Sequence, residues 1–491
     1  MNASNVLLIM LLFFFACQNT TRKIVDEEIE IIENSLTNRI LIKDAIPEKY
    51  SIEERMAIHQ VPSVSITIFR NGKIYWSKNY GEKEDIIDVK NNTLFQAGSI
   101  SKSLTSLALM KLSQENKIDL DADINNYLIS WKVPENRHSQ TEKVTARRLL
   151  SHTGGINDDH IVGYNQTDSL PSLIEILNGK GSGIAVLVDT IPGSTWRYTG
   201  GGYTILQQTI EDITGFPFEQ YMDEAILKVL GMKNSTFQNK NGNHQYIEFS
   251  RGYDNKGEQI KGGWKVYPEK AAAGLWSTSI DLAKFCLEVQ KAYTNNPSTI
   301  LSNHSATSML TPVSHNYGLG LEVIERNDTL CYSHDGITDG FQSRIITLAD
   351  KGDGMAIMTN SNRGLRLIRE IQTAISNFYN WNISETKIVE TRNLTNEELL
   401  KLVGKYKYFE SIPGTGDYYM DMVLNDGQLT LTNTSEQESF RQTYTLTPLK
   451  DNKFIDLSSG LEISFINQSE NQPLSFLWAN RARFDKVYSN K

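Results

Sequence analysis

Two short runs of apolar residues near the start of the chain predict a β-hairpin. Val64–Phe69 and Ile74–Tyr80 are rich in β-branched and aromatic residues, and the Asn71-Gly72 pair between them is a strong turn signal. The pattern then changes to helical spacing, because apolar residues recur every three or four positions over residues 104–112. Two strands therefore precede a helix.

The segments that follow add helices first and strands afterwards. The charged segment Arg22–Ile40 predicts a leading amphipathic helix, and residues 119–218 are mostly helical and rich in loops. Further helices and strands are predicted over Thr204–Ile213 (helix), Ser279–Val289 (helix), Gly318–Glu325 (strand), Thr329–Ser333 (strand), Ser343–Ala349 (strand), Met355–Asn360 (strand) and Gly364–Phe378 (helix). This order predicts an α+β domain over residues 22–390, with an antiparallel sheet built from both chain ends and a helical subdomain.

Residues 395–491 have a different pattern, with short apolar runs at regular intervals. After a short helical piece, Glu397–Val403, seven strands are predicted over Lys405–Phe409, Asp417–Leu424, Gln428–Thr432, Tyr444–Leu446, Phe454–Leu457, Leu461–Ile466 and Leu474–Ala479. Such spacing is typical of a small all-β barrel or sandwich. We therefore expect a second, all-β domain here, without a visible catalytic cluster.

The first 17 residues differ from the rest because Val6–Ala16 is an uninterrupted apolar run. As a helix this run would span only about 16 Å, too short for the roughly 30 Å hydrocarbon core of a bilayer. It predicts a signal peptide over residues 1–17. Because Ala16-Cys17 resembles a bacterial lipobox, Cys17 is the predicted lipid attachment site of an exported protein, periplasmic or anchored to a membrane.

Composition narrows the classes of partner. The 491 residues carry a net charge of -9 at pH 7 without a block of Lys or Arg, which argues against a nucleic-acid partner. Of the three cysteines, Cys286 and Cys331 could pair in an oxidising compartment, but structural thiols are favoured. His152 and residues 158–160 match no common metal-ligand spacing, so neither a metal nor another cofactor is expected.

A serine and a lysine three residues apart open the first long helix. On a helix, Ser99 and Lys102 would lie one turn apart on the same face. An amine within reach of a hydroxyl at a helix N-terminus can take its proton, and the oxygen can then attack a carbonyl carbon. The simpler alternative, which is commoner for an isolated S-x-x-K, is an N-cap serine followed by a solvated lysine.

Two further segments carry weaker chemical signals. Tyr198 precedes a glycine-rich turn and could shuttle protons if nearby cations lowered the pKa of its phenol, although a packed aromatic is commoner there. His334 follows the end of a predicted strand, where Gly336 would let a substrate backbone approach and the imidazole could donate a hydrogen bond. The alternative for His334 is a surface histidine.

Together these segments resemble the serine β-lactamase and penicillin-binding-protein superfamily, in particular the class C β-lactamases and their esterase and peptidase relatives. The S-x-x-K, tyrosine and H-x-G segments follow in the family's order. Four further segments are similar to recurring segments of that family: Val61–Ile66, Leu149–Ile156, Gly274–Thr278 and Met358–Ser361. The likeness covers about residues 45–385, and the tail is similar to the small β-barrel domains that often follow such hydrolase domains.

The resemblance implies a role for each matching residue. Ser99 would be the acylated nucleophile and Lys102 its proton acceptor. Tyr198 would pass a proton to the leaving group and help to activate the deacylating water. His334 stands where many members have lysine and would steer charge near the acyl site. The backbone N–H groups of Ser99 and Ile337 would form the oxyanion hole.

Gly200 and Gly336 are the predicted substrate-binding positions, and Gly200 departs from the family. The family's second motif reads Tyr-x-Asn, and this asparagine hydrogen-bonds the acylamide side chain of the substrate. Because Gly200 cannot make that bond, the departure favours ester or peptide substrates over β-lactams.

The leading hypothesis is an exported serine hydrolase that forms a Ser99 acyl-enzyme on a small-molecule or peptide amide or ester, as a peptidase, an esterase or a weak β-lactamase. One alternative is a non-catalytic binding or sensor protein that keeps the fold. Another gives the biological role to the carboxy-terminal β domain, as an adhesion or substrate-recruiting module. The sequence predicts no oligomeric state.

Overall fold

A computed structural model describes residues 22–81, 90–157, 161–238, 248–326, 328–383, 386–409, 417–433, 443–466, 474–479 and 482–488. The predicted signal peptide with Cys17 lies outside these residues, as do Asp158–His160. Contacts divide the chain into two compact units, one over Glu53–Ile368 and one that combines the described residues up to Ile52 with those of Arg369–Lys491. The predicted domain boundary between residues 390 and 395 stays a prediction.

Ten strands of the described residues precede the barrel region. They are β1 (Ile40–Ile42), β2 (Ser63–Arg70), β3 (Lys73–Gly81), β4 (Phe95–Gln96), β5 (Trp276–Ser277), β6 (Glu322–Arg326), β7 (Thr329–Thr338), β8 (Phe341–Leu348), β9 (Asp353–Thr359) and β10 (Lys387–Val389). The helices are α1 (22–33), α2 (Ile52–His59), α3 (Ile100–Gln114), α4 (Ala146–Leu150), α5 (Leu173–Leu177), α6 (Gly201–Thr214), α7 (Phe218–Met222), α8 (Lys270–Ala273), α9 (Ser279–Tyr293), α10 (Asn303–Met309), α11 (Gly364–Tyr379) and α12 (Asn396–Leu402). None of the described helices is both long enough and apolar enough to cross a membrane.

A six-stranded antiparallel sheet is the framework of the unit Glu53–Ile368. Its strand order is β3-β2-β9-β8-β7-β6, so the early hairpin joins the late strands where Ile66 pairs with Ile357. Helix α9 packs against this sheet. Cys286 on α9 and Cys331 on β7 are both buried free thiols, as favoured from the sequence. The predicted α+β architecture, with a sheet built from both ends, is confirmed.

Strand β7 runs five residues beyond its predicted end at Ser333. The segment from His334 onward breaks the apolar alternation, but it continues to pair with β8, with Ile337 opposite Gln342. On the other side, the pairing with β6 ends at Glu322 and Ser333. The last part of β7 therefore has a strand on one side only, and its other edge faces the start of α3.

Eight strands of the described residues between Gly404 and Val487 form a closed antiparallel barrel. Its strands are β11 (Gly404–Tyr408), β12 (Tyr419–Asn425), β13 (Gln428–Asn433), β14 (Thr443–Pro448), β15 (Lys453–Asp456), β16 (Glu462–Ile466), β17 (Ser475–Trp478) and β18 (Ala482–Val487). The predicted small β-barrel is confirmed, but the eighth strand, β18, was not predicted. It closes the barrel by pairing with β11, and its Phe484 is 3% exposed and stacks on Phe476 in the core.

Candidate active site

Ser99 and Lys102 meet at the start of α3. The Lys102 Nζ donates to the Ser99 Oγ at 3.1 Å and to the Ala272 carbonyl oxygen at 2.9 Å. Lys102 is 1% exposed, and the Ser99 hydroxyl makes no capping hydrogen bond to the helix. The alternative of a capping serine with a solvated lysine is therefore wrong. Ser99 presents its hydroxyl to a buried amine.

Helix α8 holds the carbonyl group that receives the second hydrogen bond of Lys102. Its Ala271 accepts from the Thr105 hydroxyl of α3 at 3.0 Å and donates its N–H to the Gln207 side chain of α6 at 3.0 Å. These bonds fix α8 between the two longer helices, so the Ala272 carbonyl is held in place before any substrate binds. Sequence reasoning missed Ala272 because a backbone carbonyl has no side-chain signature.

Two glycines bring the edge of β7 against the residues before Ser99. Gly98 has a φ of +52°, and a Cβ there would lie 2.5 Å from the Ile337 nitrogen. A Cβ at Gly336 would lie 1.9 Å from the Ala97 carbonyl oxygen. Because real side chains do not tolerate such distances, both positions require glycine. The space where a Gly336 side chain would lie holds the protein's own backbone, and the predicted contact of Gly336 with substrate stays a prediction.

The same packing places the two predicted oxyanion-hole residues at one cavity. Ser99 and Ile337 both line a cavity of about 390 Å³, together with Ile161, Tyr267 and Asp339 among others. Backbone N–H groups at a helix start and at a strand edge can donate to a developing oxyanion. A larger cavity of about 860 Å³ is lined by none of the predicted catalytic residues. The smaller cavity beside Ser99 is therefore the candidate substrate site.

Tyr198 lies over the Lys102 amine. The Lys102 Nζ is 5.1 Å from the centroid of the tyrosine ring. Burial raises the pKa of the Tyr198 phenol, and the charges of Glu322 and Asp335 raise it further, while a hydrogen bond with Ser99 opposes them. Desolvation is the largest cause of this rise, although 40% of the residue surface is exposed. The lowered pKa that a proton shuttle was expected to need is not found, and Tyr198 is a neutral phenol that can donate a proton.

His334 is a neutral imidazole with a defined tautomer. Its Nδ1 lies 2.6 Å from the Asp335 carbonyl oxygen, which can only accept, so Nδ1 carries the hydrogen. Its Nε2 then accepts from the Tyr317 hydroxyl at 3.0 Å. Burial and the nearby Lys102 charge lower the pKa of His334 to about 4. Because the ring is uncharged at neutral pH, the predicted charge-steering role needs revision.

Sequence reasoning missed Tyr317, which is 3% exposed and stands before β6 without a local motif. Its ring packs edge-on against His152, with centroids 4.9 Å apart, and the centroid of His152 is 4.3 Å from that of Tyr198. His152 lies in the turn after α4 with a φ of +59°, and its Nδ1 accepts from the Thr199 N–H at 3.3 Å. This aromatic cluster supports both Tyr198 and His334.

Gly200 is buried at the N-cap of α6. Its carbonyl oxygen accepts from the N–H groups of Tyr203 and Thr204 at 2.9 and 3.0 Å. These bonds give it a structural task at the helix start, and its predicted contact with substrate stays a prediction.

Comparisons with known proteins agree with this geometry. The sequence model described as Beta-lactamase matches residues 51–376. Protein flp of Staphylococcus aureus strain MW2 is 27% identical over 344 residues, which are 66% of this chain and only 65% of that protein.

Two solved structures share the fold. An octameric penicillin-binding protein homologue from Pyrococcus abyssi has a TM-score of 0.59 and 24% identity, and the match covers 89% of this chain and 98% of that one. A D-amino acid amidase from Ochrobactrum anthropi has a TM-score of 0.54 and 21% identity over 66% of this chain and 96% of that one. The predicted resemblance is confirmed, and the chain belongs to the beta-lactamase family, a serine hydrolase-type group that includes penicillin-binding proteins.

Proposed function

We propose that the protein hydrolyses an amide or ester through an acyl-enzyme at Ser99. The observation that carries this proposal is the 3.1 Å hydrogen bond between the buried Lys102 amine and the Ser99 hydroxyl. The amine acts as a base from its uncharged form, whose lone pair can accept the Ser99 proton. The cavity beside Ser99 offers space for an acyl group.

Acylation then follows from the positions of these groups. Lys102 takes the proton of the Ser99 hydroxyl as the Oγ forms a bond to the substrate carbonyl carbon. The carbonyl oxygen becomes an oxyanion and accepts from the N–H groups of Ser99 and Ile337. The bond between the carbonyl carbon and the leaving group breaks, and the leaving amine or alcohol receives a proton from the neutral phenol of Tyr198. Lys102 returns the Ser99 proton to Tyr198.

Deacylation uses the same groups with water in place of the leaving group. Lys102 takes one proton from a water molecule, whose oxygen attacks the acyl carbon. The ester bond to Ser99 breaks, and its Oγ regains a proton. The products are a carboxylic acid and the free enzyme, so the atoms of one water molecule balance the cycle.

Covalent labelling tests this proposal. A fluorophosphonate or fluorescent penicillin should label the protein, and Ser99→Ala should abolish the signal. Ser113→Ala, at the far end of α3, is the matched control and should keep it. Label that persists at the same site in Ser99→Ala would refute the assignment.

Turnover separates a hydrolase from a binding or sensor protein. Wild-type protein should hydrolyse p-nitrophenyl esters or D-alanyl peptides faster than nitrocefin, because Gly200 lacks the side chain that holds an acylamide group. Stoichiometric labelling without turnover of any of these substrates would instead favour the non-catalytic alternative.

We also propose that the protein is exported and carries a lipid at Cys17. The apolar run Val6–Ala16 followed by Cys17 supports this proposal.

A further inference from the structure

The cavity beside Ser99 has an asymmetric charge. Among its described lining residues, Asp339 is the one carboxylate, and none is a lysine, arginine or histidine. Lys102 lies behind Ser99 and is 1% exposed, while His334 is uncharged at neutral pH. An anionic substrate group would meet the like charge of Asp339 here, whereas a cationic group would gain a counter-ion.

Asp339 stands at the turn between β7 and β8, two residues after Ile337. Its N–H donates to the Tyr267 hydroxyl oxygen at 3.0 Å, and Tyr267 also lines the cavity. After burial, the charge of Asp339 is the next cause that raises the pKa of Tyr267, so the carboxylate lies near that hydroxyl. Whereas Asp335 is paired with Arg344, no cationic side chain of the described chain pairs with Asp339.

The neutral polar groups around the cavity are already used to build its wall. The Thr338 hydroxyl donates to the Gln96 side chain at 2.8 Å, which ties the end of β7 to β4. The Asn362 carbonyl groups of side chain and backbone accept from the Gly340 N–H at 2.7 Å and from the Gln342 amide at 2.9 Å. These bonds fix the turn that carries Asp339, so its carboxylate is presented on a rigid support.

We propose that Asp339 binds a substrate ammonium group, so that the enzyme prefers amides and esters of amino acids whose α-amine is unblocked. This inference rests on the proposed acyl-enzyme function. Ile337 and Asp339 are two residues apart along the chain, which corresponds to about 7 Å where the chain is extended. If the substrate carbonyl oxygen is held at the Ile337 N–H, the α-amine next to that carbonyl lies within reach of the Asp339 carboxylate. The amine keeps its proton throughout, and the acyl transfer at Ser99 is unchanged.

Matched substrates test the proposal on the full-length protein. Alanine p-nitroanilide, N-acetylalanine p-nitroanilide and N-succinylalanine p-nitroanilide, each in both enantiomers, differ in the charge beside the scissile bond. The free amine should give at least a tenfold higher kcat/KM than the acetylated compound, and the anionic succinyl compound should be slowest. Asp339→Asn should remove about tenfold of this preference, equivalent to about 1.4 kcal/mol.

Asp339→Asn keeps a residue that suits a turn, so its fold should be retained. Asp350→Asn is the matched control, because Asp350 is exposed after β8 and does not line the cavity. It should keep the full preference. The preference of the wild-type protein should also fall as salt is added, since the interaction is between charges.

The outcomes separate the two proposals. Equal rates on free and acetylated substrates, or a full preference in Asp339→Asn, would overturn the ammonium site while the acyl-enzyme function stands. Labelling of Ser99 without cleavage of any of the three substrates would also overturn it. Absence of both labelling and cleavage would overturn the proposed function itself.

Discussion

Replacing Gly336 by alanine tests whether the edge of β7 completes the catalytic site. The added Cβ would lie 1.9 Å from the Ala97 carbonyl oxygen, whereas ordinary contact begins at 3.4 Å. Either β7 or the segment before Ser99 must therefore move by about 1.5 Å to relieve the overlap. The distance between the Ser99 and Ile337 amides would change by a comparable amount.

This displacement predicts a large catalytic loss with a moderate loss of stability. Misplacement by about 1 Å can lower a rate by about a hundredfold, so we expect kcat/KM for an ester to fall by about that factor. Overpacking of a core position costs about 1–3 kcal/mol in the free energy of unfolding. In a unit larger than about 250 residues, each kcal/mol lowers Tm by about 2 °C or less.

Gly354→Ala is a matched control in the same sheet. A Cβ there would lie 2.3 Å from the Ile346 carbonyl oxygen, but Gly354 pairs with Thr347, four positions along β8 from the partner of Gly336. Both variants should lose stability, measured by thermal and urea unfolding. Only Gly336→Ala should lose activity per folded molecule, measured by ester hydrolysis and by active-site titration.

Two results would refute this reasoning. Activity of Gly336→Ala within about twofold of wild type would show that the amide beside Ser99 is not needed for the reaction. An equal loss of activity per folded molecule in Gly354→Ala would show that the effect belongs to the sheet as a whole.

Three further predictions concern separate residues. The pKa of His334, lowered to about 4, means that the unfolded chain binds a proton before the folded chain as pH falls from 6.5. The free energy of unfolding should therefore decline by up to about 1.4 kcal/mol for each pH unit between pH 6.5 and 4. The urea midpoint of His334→Gln should fall less steeply with pH than that of the wild type, and equal slopes would contradict this prediction. Tyr317→Phe leaves the His334 Nε2 without its donor and should lower the free energy of unfolding in urea by about 1–3 kcal/mol and kcat/KM by about tenfold. Unchanged stability and activity would show that Tyr317 does not position His334. Cys17→Ala should move the protein from the detergent-soluble membrane fraction to the aqueous fraction, and a wild-type protein found only in the aqueous fraction would refute lipidation.

Elements with clear periodicity could be predicted closely. The hairpin strands Val64–Phe69 and Ile74–Tyr80 are found within one residue of their predicted bounds, because one turn signal and two apolar runs determine them locally. The end of β7 could not be predicted, since residues 334–336 lack the alternation and are extended by pairing with β8. Strand β18 was missed for a similar reason, because Phe484 is its one core side chain below 9% exposure.

The contacts of the candidate site also divide into local ones that could be predicted and long-range ones that could not. The spacing of Ser99 and Lys102 is local, so their meeting could be read from the helical period. The hydrogen bonds that Ala272 makes with Lys102 and Tyr317 makes with His334 could not be predicted. Ala272 is far from Lys102 along the chain and uses a backbone carbonyl, and the Tyr317 hydroxyl belongs to no motif. The direction of the Tyr198 pKa shift depends on burial, which a sequence does not show.

The contact between the segment before Ser99 and the edge of β7 also orders events during synthesis. A growing chain carries its nucleophile long before it carries Ile337, and β2 lacks its inner neighbour until β9 has been made. An incomplete chain therefore holds a serine without the second amide of the proposed oxyanion hole. On the proposed mechanism, hydrolysis requires closure of the sheet, so a nascent chain is inactive while its unpaired strand edge is exposed to aggregation.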